Sequence, residues 1–199
     1  MKKKIIGFIQ NGYFLLFTFA TGLFYFCFYL VTLTLGFGLS FTVAGIPLLT
    51  QVLRTTSTFI QFERIQTKIY TDITTPPYER KIRLEASFWE QAKEELQDPR
   101  NWIAICWLML KFLIGLLCLL SAAMLYVTPL LFILAPLLLP FSDINVIGIP
   151  IDTFTKSLLV SVVGILMTFV SAWLANGLVR LIGGYTRQMI KMLNRSHDY

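Results

Sequence analysis

Charge is scarce in this chain, and its absence from particular stretches decides the fold class. Only 14% of the 199 residues are Asp, Glu, Lys or Arg, against about 25% in an ordinary soluble domain. From Tyr13 to Leu53 there is none at all. At ~1.5 Å rise per residue, that run is roughly twice what one helix needs to cross ~30 Å of hydrocarbon, so it must fold back on itself. Histidine is limited to His197, in the polar tail beside Tyr199, which leaves the chain without its commonest general base. The three cysteines, Cys27, Cys106 and Cys118, are odd in number and lack metal-ligand spacing. They read as small apolar residues within spans rather than a disulfide framework. No phosphate-binding glycine loop, HExxH pair or nucleophile elbow occurs. These gaps argue against an enzyme, a metal centre and any cofactor.

What is present is apolar. Mean hydropathy is +0.68 and 56% of residues are hydrophobic, and helices apolar all round indicate lipid contact. The basic start, Lys2-Lys3-Lys4, resembles that of a signal peptide. The apolar run behind it is too long for a signal core of about 7 to 15 residues, and no small-residue cleavage pattern follows. It reads as an anchor that stays.

The spacing predicts an all-α integral membrane protein, one domain over residues 1–199, with four spans at about 13–35, 38–53, 102–127 and 152–182. They form two hairpins, each followed by an amphipathic helix on the cytoplasmic surface. Gly36-Phe37-Gly38 is the expected first turn. Pro47 is expected to bend the second span. Segment 54–101 is assigned to the cytoplasm and the proline-broken apolar segment 128–151 to the outer boundary. All 17 basic residues except Lys111 and Lys156 then fall on the inner side, which sets both termini in the cytoplasm. That basic face favours anionic headgroups. Nucleic acid is excluded as a partner, because the cations sit beside spans.

Two amphipathic tails follow the hairpins. In the first, Phe59, Phe62, Ile65, Ile69 and Tyr70 recur at helical spacing opposite Gln61, Arg64 and Lys68; in the second, Met189, Ile190, Met192 and Leu193 alternate with Arg187, Lys191 and Arg195. Arg54, Arg64, Lys68, Arg187 and Lys191 are the expected inner-face contacts to lipid or a partner. Pro76-Pro77 makes the stretch between the halves a linker. A short helix from about Ser87 to Gln97 follows, and Asp98-Pro99 caps a new one with Trp102 at headgroup depth.

Lys111 is the one charge inside a span, about nine residues past Trp102. It can snorkel back to the inner headgroups, or make a polar contact inside the bundle that reports helix movement; with Pro47 it is a candidate relay. In the last span Ser161, Gly164, Thr168, Ala172 and Ala175 recur every three or four residues, a stripe that permits close helix approach. Thr18 and Gly22 offer a matching notch. This stripe serves either packing within one chain or a homo-oligomer seam. Input is expected at the outer segment, through Pro129, Phe132, Pro136, Phe141 and Asp143, where a hydrophobic or amphipathic ligand fits better than a sugar or metal. The bland alternative is a plug that seals the bundle.

The order of these features resembles the sensor domain of bacterial two-component histidine kinases. It comprises the double hairpin, Gly45-Ile46-Pro47, a basic amphipathic helix, Pro77-Tyr78, Asp98-Pro99-Arg100-Asn101-Trp102 and the loop from Gly148 to Thr153. The resemblance runs from about Gly12 to Leu193. It implies a bacterial plasma-membrane sensor. No phosphorylatable-histidine helix or kinase follows, so signalling is expected to act on a separate kinase or regulator in response to envelope state or an amphipathic ligand. The alternative is a structural or accessory subunit docked on an exporter's transporter.

Overall fold

The structure is a computed structural model that describes residues 2–42, 44–71, 73–77, 87–139, 145–146, 149–150 and 153–195. Of the expected features, Tyr78, Phe141, Asp143, half of the 148–153 loop and His197 lie outside the described residues. Helix α1 runs Lys2–Gly38, α2 Gly45–Thr71, α3 Phe88–Gln97 and α4 Pro99–Ala122. One wide turn, Ala123–Val127, leads into α5, Thr128–Ile133. Then come α6, Ala135–Leu138, an antiparallel pair of two-residue strands at 145–146 and 149–150, and α7, Phe154–Arg195.

Three helices, not four, are long and apolar enough to cross a bilayer among the described residues: Ile6–Gly38, Pro99–Ile133 and Phe154–Arg195. The expected pair of spanning hairpins is therefore corrected. Its second member fails because the apolar stretch 45–53 does not stop. It continues unbroken into 54–71 as one helix carrying Arg54, Gln61, Glu63, Arg64, Gln66 and Lys68. Nine uncharged residues rise only ~13 Å, less than half the hydrocarbon thickness. The charge tally that set both termini on one side needed an even number of spans, and three do not supply it.

Two proline expectations also change. Pro47 lies in the first turn of α2, where a backbone N–H has no intrahelical acceptor to lose, so it starts the helix instead of bending it. Pro129 does not end the third apolar helix. Its missing N–H is absorbed by the wide turn immediately before it, and the rod continues to Ile133.

The helices align through named contacts. Antiparallel packing of α2 on α1 brings Leu49 to Gly36, Glu63 to Tyr25 and Tyr70 to Phe14. The expected turn glycine Gly36 therefore faces Leu49, and the chain reverses one step later, through Leu39 to Thr42. Helix α4 is antiparallel to α1, with Phe37 and Trp102 rings 6.0 Å apart at one end and Phe8 and Tyr126 4.3 Å apart at the other. Helix α7 runs in the direction of α1, tied by Asn11 to Asn176 and, on α4, by the Tyr185 hydroxyl donating to the Trp107 carbonyl at 2.8 Å.

Between apolar rods in lipid, close packing and not water exclusion drives association. Glycines set that distance. A Cβ at Gly22 would lie 2.8 Å from the Lys111 carbonyl oxygen, and one at Gly115 would lie 2.8 Å from the Phe19 Cα. The Thr18–Gly22 notch thus receives α4. In α7, Gly164 lets the helix touch Phe132 and Ile133, and the Ser161 hydroxyl donates to the Ile133 carbonyl. At these positions the small-residue stripe packs within the chain.

The second expected tail is also part of the bundle. Val179, Ile182, Thr186, Met189, Ile190 and Leu193 are buried, and Met189, Ile190 and Leu193 join Tyr25, Tyr29, Val52, Leu53, Ile60, Ala104, Ile105 and Leu108 in one cluster. Arg180, Arg187, Lys191 and Arg195 point outward. Helix α3 begins with the Ser87 N–H donating to the Glu90 carboxylate at 3.0 Å, and α4 with Asp98 accepting from the Arg100 N–H at 2.9 Å. Both starts agree with the residues that predicted them.

Candidate functional site

Three helices converge on a buried charge pair. The inward stripe of α2 is Leu49, Leu53, Thr56, Ile60, Glu63 and Thr67, spaced by alternating fours and threes. Glu63 therefore points into the bundle along with its apolar neighbours. The inward stripe of α4 is Ala104, Leu108, Lys111, Gly115, Cys118 and Ala122, which turns Lys111 inward in the same way. The Lys111 ammonium donates to Glu63 Oε2. Helix α1 adds Tyr25, whose hydroxyl donates to Glu63 Oε1 at 2.9 Å. Both carboxylate oxygens are thus engaged. Tyr29, one turn on, donates to Thr56 Oγ1 at 3.0 Å.

Burial here is nearly complete: Glu63 and Tyr25 are each 2% exposed and Lys111 3%. Removing two such charges from water costs several kcal/mol per ion, and a paired, hydrogen-bonded geometry offsets this without a clear surplus. The pair is thus weak as a stabiliser relative to apolar residues of the same volume, and strongly destabilising when only one half is present. An element with that asymmetry holds a defined arrangement. It does not simply add stability. Gln66, one turn beyond Glu63, is 4% exposed, and neither of its amide atoms has a partner among the described residues.

Beside this pair, α1 and α2 leave a groove of about 440 Å³ between Phe17, Ala20, Thr21, Phe24 and Tyr25 on one wall and Thr58, Phe59 and Phe62 on the other. Thr21 turns its hydroxyl back to the Phe17 and Thr18 carbonyls, so the groove presents carbon. Its floor is Tyr25.

The expected site residues separate into groups. Lys111 does not snorkel; it pairs inside. Pro47 starts α2, away from that pair. Pro129 is buried, Phe132 lies against Gly164 of α7 and Pro136 is half-buried, so the outer segment is packed on α7. Arg54 donates to Gln91 at 2.7 Å and lies 3.4 Å from Glu95, which fastens α3 to α2. Arg64 donates to the Thr75 carbonyl at 2.8 Å. Lys68, Arg187 and Lys191 are exposed.

Reasoning from sequence missed Glu63 and Tyr25. The signal was there: Glu63 is the first acidic residue of the chain, and it falls on the same helical stripe as Leu49, Leu53 and Ile60. Among the described residues there is no histidine and no group of three His, Cys, Asp or Glu able to hold a metal.

The family model named Sensor, described as "Putative sensor", matches residues 14–190. The chain belongs to the Sensor family. The match takes in most of α1, all of α2 and α4 and most of α7, and with them every residue of the charge pair and the groove. No curated protein and no solved structure matches the chain.

Proposed function

We propose that this Sensor-family chain is a membrane signal relay that responds to the state of the envelope or to a hydrophobic amphiphile and acts on a separate protein, a kinase or regulator. The observation that carries this reading is the buried Glu63–Lys111 pair with Tyr25, because it joins α1, α2 and α4 at one point. Ionisable groups inside a membrane bundle are functional candidates by default. A relay needs two arrangements of similar free energy and a stimulus that binds one of them better. A charge pair that contributes little net stability, yet penalises every arrangement that separates it, makes such discrete states. Output then passes along α2 to α3, which Arg54 holds through Gln91 and Glu95. The outward cations of α7, Arg187 and Lys191 among them, set the bundle against anionic headgroups.

The test uses Lys93→Cys, an exposed position on α3, in a cysteine-free background and in lipid nanodiscs. Its alkylation rate is expected to change when palmitic acid is added, and to stop changing in Glu63→Gln. Equal rates with and without the fatty acid, or a response that survives Glu63→Gln, would overturn the relay.

A further inference from the structure

We infer that the α1–α2 groove is a binding site for one hydrocarbon chain of a membrane amphiphile, with Tyr25 as the residue that reads its occupancy. This deepens the relay reading and rests on it for its purpose.

Direction and size both favour a chain. On α1 the lining residues Phe17, Ala20, Thr21, Phe24 and Tyr25 follow one helical stripe, so the groove runs ~12 Å along the helix axis. Acyl chains in a bilayer run the same way. The volume of about 440 Å³ lies within the range of small-molecule sites, roughly 300 to 1,000 Å³. The depth comes from Ala20, the one small apolar side chain on a wall of aromatic rings.

The groove is continuous with the lipid-facing side of α1. Phe17, Phe24 and Phe62 at its rim are part-exposed, and Leu16, Leu23, Leu30 and Val31 extend the same apolar surface along α1. Hydrocarbon therefore has direct access. Tyr25, by contrast, is buried at the floor and stacks against Phe59 with ring centroids 4.9 Å apart, while its hydroxyl holds Glu63. A chain seated in the groove lies against the Phe24, Tyr25 and Phe59 rings, and any rotation of Tyr25 moves a hydrogen bond on the charge pair. Ordinary boundary lipid against α7 has no such contact.

The experiment is photolabelling of the detergent-purified full chain with palmitic acid carrying a mid-chain diazirine, mapped by mass spectrometry. Labelling is expected to concentrate on residues 17–25 and 58–62, to fall several-fold with excess unlabelled palmitic acid, and to fall several-fold in Ala20→Trp while residues 158–173 of α7 label as before. Equal, non-saturable labelling of the groove and of 158–173 would mean boundary lipid only and would overturn the site. If Ala20→Trp does not fold, competition by unlabelled palmitic acid in the unaltered protein decides alone. Tyr25→Phe is expected to keep the label but lose the alkylation response at Lys93→Cys. Saturable labelling without any response at Lys93→Cys keeps the site and sinks the relay; the converse keeps the relay and sinks the site.

Discussion

Replacing one partner of the Glu63–Lys111 pair should harm the protein far more than replacing both. In Lys111→Met the Glu63 carboxylate keeps only the Tyr25 hydroxyl and stays buried at 2% exposure, with no counter-charge. Breaking a buried pair from one side costs about 3 to 5 kcal/mol. For a chain of this length that lowers the thermal midpoint by roughly 6 to 20 °C. Glu63→Leu strands the Lys111 ammonium and should fall in the same range. The double variant Glu63→Leu with Lys111→Met removes both charges and should recover most of the loss, because a well-packed apolar replacement is often neutral or stabilising. Tyr25→Phe removes a hydrogen bond to a charged acceptor, about 1.5 to 3 kcal/mol, and should cost almost nothing once Glu63 is Leu. Thermal unfolding in one detergent, followed by tryptophan fluorescence for the parent, the three single variants and the two double variants, completes the cycle. Additive single effects, or singles within about 1 kcal/mol of the parent, would refute the buried pair, since an exposed pair contributes only that much.

Three further outcomes follow from other contacts. Gly115→Leu places side-chain atoms where α1 backbone already stands, with a Cβ 2.8 Å from the Phe19 Cα, so it should cost at least the 1 to 3 kcal/mol typical of overpacking and abolish a disulfide engineered between α1 and α4. Arg54→Ala should leave the thermal midpoint within about 1 kcal/mol of the parent, because the pair with Glu95 is partly exposed. It should still expose the 88–97 helix to limited proteolysis; unchanged protection would show that α3 does not depend on this arginine. Arg187→Gln with Lys191→Gln should lower the amount of co-purifying anionic phospholipid, measured by mass spectrometry, without altering stability, since both side chains point away from the core.

The long apolar rods, the caps and the small-residue contacts were readable because each depends on neighbours in sequence. Asp98-Pro99 starts α4 and Ser87 with Glu90 starts α3 wherever the rest of the chain lies. The fate of 45–71 was not readable in the same way. A run of apolar residues followed by Arg54 looks like a span that ends at a membrane surface. Whether it instead continues as one helix depends on cover from α3 and residues 73–77, and hence on Gln91, Glu95 and the Thr75 carbonyl, which lie far along the chain. The pairing of Glu63 with Lys111, 48 residues apart, is long-range too. Each half could nonetheless have been flagged alone, because each is a lone charge on an inward-facing stripe. Two buried charges of opposite sign on facing stripes have few ways to be satisfied except by each other.

The position of that pair along the bundle gives it a further property. Helix α7 is 42 residues long, or ~63 Å, twice the hydrocarbon thickness, so part of it must lie outside the hydrocarbon or tilt strongly. Its outward face is apolar through Phe169, Trp173 and Leu174 and turns basic at Arg180, Arg187, Lys191 and Arg195. Tyr185 contacts Trp107, one turn before Lys111 on α4, and Gly22 of α1 faces Lys111 itself. The charge pair therefore lies deep in the bundle, level with the part of α7 that carries Arg180, Arg187 and Lys191 on its outer face. Any relative movement of α1, α2 and α4 therefore acts on the contacts among Glu63, Lys111 and Tyr25.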